Sequence, residues 1–184
     1  VAYNEVIFFF EVSENDRLVE ELSEIVKDGQ FQGNNGYNKM KILLSPAKKL
    51  DFSYEKSSLK NTDYLFSEQS KEIMKELSNY SVLQLSKLMK LSDKLSILNK
   101  QRNDSWTYPF SVDDAKQALF SFKGEVYQNI RVNEFSESEL DLANKSIRII
   151  SGLYGVLSPS DLILPYRLEM GTKLSVSGHK NLYS

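Results

Sequence analysis

The chain of 184 residues contains no cysteine, one histidine and one tryptophan. The absence of cysteine excludes disulfides, thiolate metal sites and thiol redox chemistry. It is typical of the cytoplasm, where we expect this protein to work. The single histidine, His179, has no second ligand at metal-binding spacing and forms no plausible triad with Ser45 or Ser151. The sequence therefore predicts neither a bound metal nor Ser–His catalysis.

Two further absences narrow the function. No apolar run approaches the about 20 residues that a membrane-spanning helix needs, since the stretch Ile7–Phe10 is only long enough for a strand. The sequence has no Walker loop and no GxGxxG motif, so nucleoside-triphosphate and dinucleotide chemistry have no support. We expect no cofactor and no membrane partner.

Charge is distributed unevenly along the chain. Residues 1–39 contain three Lys or Arg and eight Asp or Glu, a net charge of −5. Residues 40–184 contain twenty and seventeen, a net charge of +3, and the whole chain has a net charge of −2. Because +3 is only mildly basic, any contact with nucleic acid must come from a local patch of Lys and Arg.

The acidic residues 1–39 have the pattern of a separate unit. An apolar strand over 6–10 precedes a helix whose apolar face runs from Leu18 to Val26, and residues 28–36 are rich in Gly and Asn, as linkers are. We interpret residues 1–39 as an N-terminal extension outside the main domain, which covers residues 40–184. Either they are an upstream reading-frame remnant or a fusion, with Met40 as the natural start, or they are a genuine extension.

Residues 40–184 predict a mixed α/β fold with a small sheet and flanking helices. Lys41–Leu44 and Ile147–Ile150 are predicted as strands because they are short apolar segments. Apolar spacing and capping residues predict five helices. The helices are one over about 64–79, a second opened by the Ser81–Gln84 capping box, a third beginning near Ser92 or Asp93, a fourth from Ser111 to a C-cap at Gly124, and a fifth from the Ser136–Glu139 capping box to about Lys145.

Both predicted strands end in serine-containing loops that carry polar residues. Ser45 and Lys48 follow the first strand, and Ser151 and Tyr154 follow the second. In α/β sheets, ligands gather at the carboxyl ends of parallel strands. If the two strands are parallel neighbours, these four side chains converge on one cleft.

The segment 150–171 has the most unusual composition, since it combines three glycines and two prolines with an Arg and a Glu. Gly152 and Gly155 permit a positive φ or a close approach of two backbones. Arg167 and Glu169 are two residues apart and lie on the same face if this segment is extended. Spacing alone leaves two readings open, a loop with a structural ion pair and a functional site.

Several cations have positions that suit phosphate binding. Lys94 follows Asp93 at a predicted helix start, where free N–H groups and the helix dipole attract anions. Arg167 can offer a bidentate fork to phosphate or to the carboxylate of Glu169. Taken singly, Lys48, Lys94 and Lys123 are each better explained as solvated surface charges.

Four stretches, in a fixed order within residues 40–184, carry a family resemblance. They are Lys41–Lys48 followed by Leu50 and Asp51, Leu91–Leu95 followed by Asn99, Phe122–Tyr127, and Ile150–Gly171. They resemble the motifs of the YaaA family, bacterial peroxide-stress proteins. The resemblance implies a YaaA-like fold and binding of double-stranded DNA with little sequence preference, through a positively charged cleft and a helix-hairpin-helix element. It also implies a role in keeping free iron low and so limiting iron-dependent oxidative damage.

The same resemblance selects the candidate site residues, because the cations lie inside the four stretches. The predicted DNA phosphate-binding residues are Lys48, Lys94, Lys123 and Arg167. The further candidates for the lining of the cleft are Ser45, Asp93, Asn99, Tyr127, Ser151, Tyr154, Tyr166 and Glu169.

Two places are candidates for the helix-hairpin-helix element, which holds phosphates through backbone amides of a glycine-containing hairpin. Residues 85–99 supply two consecutive helices around Leu91–Lys94, but this turn has no glycine. The segment Gly152–Gly155 has the glycines, but a strand precedes it. The flanking helices favour the first place.

The chain departs from the family pattern in three respects. Ser158 stands where members often have Arg, which removes one candidate phosphate contact, and Glu125 replaces the usual Asp. Both changes predict weaker DNA binding. Members of the family also continue for several dozen residues beyond the position of Ser184, so we expect a domain that is incomplete at its C-terminus.

A different class of function fits the same residues. In an enzyme acting on a nucleobase or nucleotide, Tyr154 or Tyr166 would stack on a base, Glu169 or Asp93 would act as general acid or base, and Lys48 would hold phosphate. A buried Glu169 with a raised pKa in a closed pocket would favour this alternative, whereas an open groove would favour DNA binding. Basic residues scattered over the surface would instead favour a partner-binding protein of a stress pathway.

Overall fold

The computed structural model describes residues 7–10, 41–53, 60–176 and 178. Three features of the sequence lie outside these residues: the predicted helix over Leu18–Val26, the linker at 28–36 and His179. Within the described residues, two small sheets and a set of flanking helices confirm the predicted mixed α/β fold. The helices are α1 Ser67–Ser78, α2 Val82–Met89, α3 Asp93–Ser105, α4 Ala118–Ser121, α5 Glu125–Ile130 and α6 Glu137–Ser146, with a 3₁₀ turn at Val132–Glu134. The strands are β1 Ile7–Phe10, β2 Lys41–Leu44, β3 Lys116–Gln117, β4 Ile147–Ser151, β5 Gly155–Leu157 and β6 Leu162–Ile163.

The larger sheet has the strand order β1-β2-β4-β5. Its strands β2 and β4 are parallel, with Ile42 opposite Ile147 and Leu44 opposite Ile149, which confirms that the two predicted strands are parallel neighbours. Strand β5 then returns antiparallel to β4. The carboxyl ends of β2 and β4 therefore lie side by side at one edge of the sheet.

Strand β1 extends the same sheet beyond β2. It pairs with β2 in parallel, and the register places Ile7 opposite Lys41 and Phe10 opposite Leu44. Residues 7–10 of the acidic N-terminal region thus contribute a strand to the sheet of the main domain. The division of the chain at residue 39 remains a prediction.

One hydrophobic core supports this sheet. In β4, Ile147 and Ile149 are buried while Arg148 between them is only half-buried, because successive side chains of a strand point to opposite faces. Ala143 of α6 is fully buried in the same core. The buried residues contributed by the other helices include Met74, Leu77, Leu85, Leu119, Tyr127 and Ile130.

Both predicted capping boxes are confirmed. At the start of α2, the Gln84 N–H donates to Ser81 Oγ over 3.3 Å, and the Ser81 N–H donates to Gln84 Oε1 over 2.8 Å. At the start of α6, Ser136 and Glu139 make the same pair of reciprocal bonds. Each box gives partners to N–H groups that the first turn of a helix leaves free.

The predicted helix from Ser111 to Gly124 is wrong. Ser111 begins a turn, in which its carbonyl accepts hydrogen bonds from the N–H groups of Asp114 and Ala115. The next residues form β3, which pairs antiparallel with β6, and only the four residues of α4 are helical. Pairing with a distant strand has overridden the local helical spacing. Gly124 consequently caps the start of α5, with an extended φ of −149°, and does not end a helix.

No helix in the described part of the chain is long and apolar enough to cross a membrane. The longest of these helices is α3, with 13 residues.

Candidate functional site

A pocket of about 300 Å³ lies beyond the carboxyl end of β2. One wall is the loop Ser45–Lys48, which directly follows β2, and the other is the segment Tyr166–Gly171. Both walls belong to stretches that the sequence analysis singled out. The predicted residues Ser45, Lys48, Tyr166, Arg167 and Glu169 therefore line one cavity.

Two cations of this pocket share a single carboxylate. Glu169 Oε1 lies 3.1 Å from Lys48 Nζ and 3.1 Å from Arg167 Nη2. The side chains of Lys48 and Glu169 are 68% and 46% exposed, whereas that of Arg167 is only 21% exposed. Lys48 and Glu169 thus form the rim and Arg167 lies deeper. Exposed ion pairs of this kind contribute about 0–1 kcal/mol, so an incoming anion can displace Glu169 at little cost.

Arg167 lacks a partner on one side of its guanidinium group. Its Nε is buried and has no hydrogen-bond acceptor among the residues that the structure describes. A buried donor without an acceptor costs about 1–3 kcal/mol. Arg102 of α3 adds a second positive charge nearby, since burial, and after it the charge of Arg167, lowers the pKa of Arg102. An anion bound at Arg167 would relieve both the missing acceptor and this repulsion.

Gly152 fixes the position of the wall that carries Arg167 and Glu169. A Cβ atom at Gly152 would lie 2.4 Å from the carbonyl oxygen of Leu168, so two backbones approach each other here as closely as the sequence predicted. Gly155, three residues later, has a φ of +72°, the left-handed region that favours glycine. Its φ allows the chain to turn back from β4 into β5.

Hydrogen bonds from buried hydroxyl groups hold the two walls. Tyr127 OH donates to the Ser45 carbonyl oxygen over 2.7 Å, and Ser151 Oγ lies 2.7 Å from Tyr166 OH. Burial raises the pKa of the Tyr127 hydroxyl far above its ordinary value, so this hydroxyl keeps its proton and remains a donor. Tyr127 and Ser151 therefore act behind the pocket wall and are not part of its lining.

Tyr154 lies below the pocket, in the core. Its side chain is fully buried and its ring packs edge-on against the ring of Tyr166, with the centroids 5.0 Å apart. Its hydroxyl donates to the Leu164 carbonyl oxygen and accepts hydrogen bonds from the Leu164 N–H and from Trp106 Nε1, each over 3.1 Å. Tyr154 supports Tyr166 from beneath and has no open face for a ligand.

Lys123 lies beside the first wall of the pocket. Its N–H donates to the Lys49 carbonyl oxygen over 2.9 Å, and its Nζ lies 2.6 Å from Asp51 Oδ2. The hydrogen bond from Lys123, followed by those from Ser53, lowers the pKa of the Asp51 carboxyl well below its ordinary value. Asp51 thus compensates part of the charge of Lys123, a pairing that the sequence analysis did not predict.

The remaining predicted residues, Asp93, Lys94 and Asn99, lie on α3 and are not among the residues that line the pocket. Asp93 and Lys94 are exposed at the start of the helix. Asn99 is buried, and its Nδ2 donates to the Leu95 carbonyl oxygen over 2.8 Å. The structure therefore separates this group from the five residues that line the cavity.

The sequence does not single out Arg102, because α3 has a largely polar sequence without a clear apolar face. In the structure, Arg102 stands between two residues of the same helix with buried side chains, Asn99 and Asn103. An Arg beside inward-facing positions is a candidate for a partly desolvated charge.

Among the described residues, we find no group of three or more His, Asp or Glu side chains placed to hold a metal ion.

Fold and site together define a class: a mixed α/β protein with a cationic pocket beyond the carboxyl end of the parallel strand β2. Residues 40–184 match the family described as peroxide stress protein YaaA, and the chain belongs to this family. This confirms the family resemblance found in the sequence.

Curated relatives with considerable sequence identity support the assignment. The chain is 49% identical over 144 residues to a UPF0246 protein of Clostridium botulinum (strain Eklund 17B / Type B), with 78% of this chain and 55% of the relative covered. It is 45% identical to a UPF0246 protein of Flavobacterium psychrophilum, with 79% of this chain and 58% of that protein covered. A UPF0246 protein of Hahella chejuensis is also 45% identical, with 78% and 56% covered. The chain thus spans a little over half the length of these relatives.

Proposed function

We propose that this protein binds double-stranded DNA through its backbone phosphates, with little sequence preference. One observation carries the proposal: Lys48 and Arg167 line the pocket, with Glu169 as the carboxylate between them. Phosphate oxygens suit these cations, because Arg offers a fork of donors and Lys a point charge. Phosphate contacts position a protein on DNA without reading the bases.

The turn between α2 and α3 offers a second contact for the same DNA. Lys90, in the left-handed conformation, ends α2, and Ser92 caps the start of α3 with a side chain that makes no capping hydrogen bond. Free N–H groups at a helix start, together with the exposed Lys94, suit a phosphate. Two helices joined by this short turn are the candidate for the helix-hairpin-helix element.

Phosphate binding also offers a route to peroxide resistance. A protein that neutralises DNA phosphates with Lys and Arg releases the cations condensed on the DNA. Iron(II) held at those phosphates would be among the released ions, and hydroxyl radicals formed from peroxide would then arise farther from the bases. In this way the protein would limit iron-dependent oxidative damage.

Two features of the structure favour a binding function over a catalytic function at this site. Glu169 is half-exposed and paired with two cations, whereas a general acid would be favoured by burial without them. Tyr154 is fully buried and cannot stack on a base, which leaves Tyr166 alone of the two tyrosines that the enzyme alternative named. These observations favour the DNA-binding proposal.

The test is the salt dependence of duplex binding. The logarithm of the binding constant falls with the logarithm of salt concentration by about 0.9 for each phosphate contacted. In Lys48→Ala and Arg167→Ala we expect weaker binding and a slope that is less steep by about 0.9, the contribution of one phosphate contact. Fluorescence anisotropy with a random duplex measures both quantities. Lys94→Ala tests the α2–α3 turn in the same way.

The matched control is Lys75→Ala, which removes an exposed lysine of α1 that does not line the pocket. This variant changes the net charge by the same amount but removes no cation of the pocket. We therefore expect its slope to stay close to that of the parent chain. Equal slopes for the parent chain, Lys48→Ala and Arg167→Ala would contradict the proposal that the pocket meets DNA phosphates.

A further inference from the structure

The pocket is larger and more apolar than a contact with a backbone phosphate requires. Its volume of about 300 Å³ falls at the lower end of the range for small-molecule sites. Besides the charged residues, the walls contain Pro46, Ala47, Leu168 and Met170. A phosphate on the outside of a duplex needs cations but no apolar cavity. The cavity therefore suits a ligand in which an anionic group is joined to an apolar, flat body.

The charges at the pocket match an anion with more than one negative charge. Lys48 and Arg167 supply two positive charges, and an anion that displaces the exposed carboxylate of Glu169 between them meets an excess of two. A phosphodiester of the DNA backbone carries one negative charge. A phosphate monoester carries about −1.5 to −2 at pH 7 and three strong acceptor oxygens. The monoester compensates the excess more fully.

The arrangement of Arg167 also fits a terminal phosphate. Its Nη2 is bonded to Glu169, which is exposed and displaceable, while its buried Nε has no acceptor among the described residues. A phosphate that replaces Glu169 would present two oxygens to one guanidinium group, the bidentate geometry that Arg prefers. Lys48 at the rim can hold the third oxygen.

We propose that this pocket binds a nucleoside phosphate monoester, with the phosphate on Lys48 and Arg167 and the base against the apolar wall. The flat, weakly polar face of a base suits Leu168 and Met170 better than a sugar with many hydroxyl groups does. Two sources share this chemistry, a free mononucleotide and the phosphorylated end of a DNA strand. For the strand end the inference rests on the proposed function, because that end belongs to the DNA that the same cations bind.

Calorimetry with three small probes tests the pocket itself. We expect deoxyadenosine monophosphate to bind the full chain at least about tenfold more tightly than deoxyadenosine, which lacks the charge-assisted bonds, and than inorganic phosphate, which lacks the base. The preference over deoxyadenosine should shrink about tenfold in Lys48→Gln, whose exposed position leaves the core untouched, and should persist in Lys75→Gln. Equal binding of the three probes, or a preference that survives in Lys48→Gln, would overturn the inference.

Hairpin duplexes with a phosphate at the 5′ end, at the 3′ end or at neither end distinguish the two sources. Tighter binding of a phosphorylated hairpin assigns the pocket to strand ends, and equal binding of all hairpins together with binding of the monophosphate assigns it to free mononucleotides. Salt-dependent hairpin binding without any preference for a monoester would overturn this inference and leave the proposed function standing. Binding of the monophosphate without binding of any hairpin would overturn the proposed function alone.

Discussion

Gly152 is the residue at which the backbone of one pocket wall meets the turn after β4. Its missing side chain leaves room for the Leu168 carbonyl oxygen, which would lie 2.4 Å from a Cβ atom. Because the obstructing atom belongs to the backbone, no side-chain rotation can make room. The segment with Arg167 and Glu169 must move if a larger residue takes this place.

We therefore predict that Gly152→Ala lowers the free energy of unfolding by about 1–3 kcal/mol, the usual range for overpacking a core. Urea denaturation measures the change. Gly171→Ala is the matched control, since no atom of the residues that the structure describes lies within 4 Å of a Cβ atom at that position. Its free energy of unfolding should change little or rise by a few tenths of a kcal/mol. Equal stability of the two variants would contradict the close approach at Gly152.

Individual site residues differed in how far the sequence could place them. Lys48 and Ser45 were predictable, because they follow a short apolar strand, and ligands in α/β sheets bind at the carboxyl ends of strands. Tyr154 was placed in the cleft by the same argument, yet the structure buries it completely. The direction of its side chain depends on the turn Ser151–Gly155 and on packing against Tyr166, which strand periodicity does not describe.

The α-helices show which local signals define their ends. Ser81 caps α2 with a side-chain hydrogen bond, whereas Ser92 caps α3 without one. We predict that Ser81→Ala lowers the free energy of unfolding by about 0.5–2 kcal/mol, because an N–H group of the first turn loses its acceptor. Ser92→Ala, the matched control at the same kind of position, should change it by less than about 0.5 kcal/mol.

Denaturant titration of both variants measures these changes. A loss of stability in Ser92→Ala as large as that in Ser81→Ala would show that the capping bond is not the cause.

Whole elements were predictable where local signals sufficed. The capping boxes at Ser81 and Ser136 depend on residues three positions apart, and both helix starts are found where the sequence predicts them. The helix predicted over residues 111–124 was wrong because the structure of this region depends on β6, some 45 residues later, which pairs with β3. Apolar spacing over one segment contains no information on such a distant partner.

At the scale of the whole molecule, a cluster of aromatic rings joins the loops around α1 and α3 to the base of the pocket. Tyr64 packs against Tyr154 and Tyr108 with ring centroids 4.9 and 5.7 Å apart, and Tyr154 packs in turn against Tyr166. The cluster connects segments far apart in sequence, so its geometry follows only from the complete fold. Because it contains buried tyrosine hydroxyl groups, the cluster also makes the fold less stable as the pH becomes alkaline.

Burial raises the pKa of Tyr64 to about 12, and it raises the pKa values of Tyr127 and Tyr154 as well. In the unfolded chain a tyrosine ionises at a pKa of about 10. Between these values the unfolded state has lost the proton and the folded state has kept it, so the stability present below pH 10 is lost as the pH rises toward 12. The loss is about 1.4 kcal/mol per pH unit for each such tyrosine.

Tyr64→Phe isolates one of these contributions, because it keeps the ring and removes the group that titrates. Lysines also titrate in this range, and the comparison of variant with parent cancels their effect. We predict that the free energy of unfolding, from urea titrations between pH 9 and about pH 12, falls less steeply in Tyr64→Phe than in the parent chain, by about 1.4 kcal/mol per pH unit above pH 10. Parallel curves would mean that Tyr64 ionises as freely in the folded protein as in the unfolded chain, and that its ring does not lie within the core.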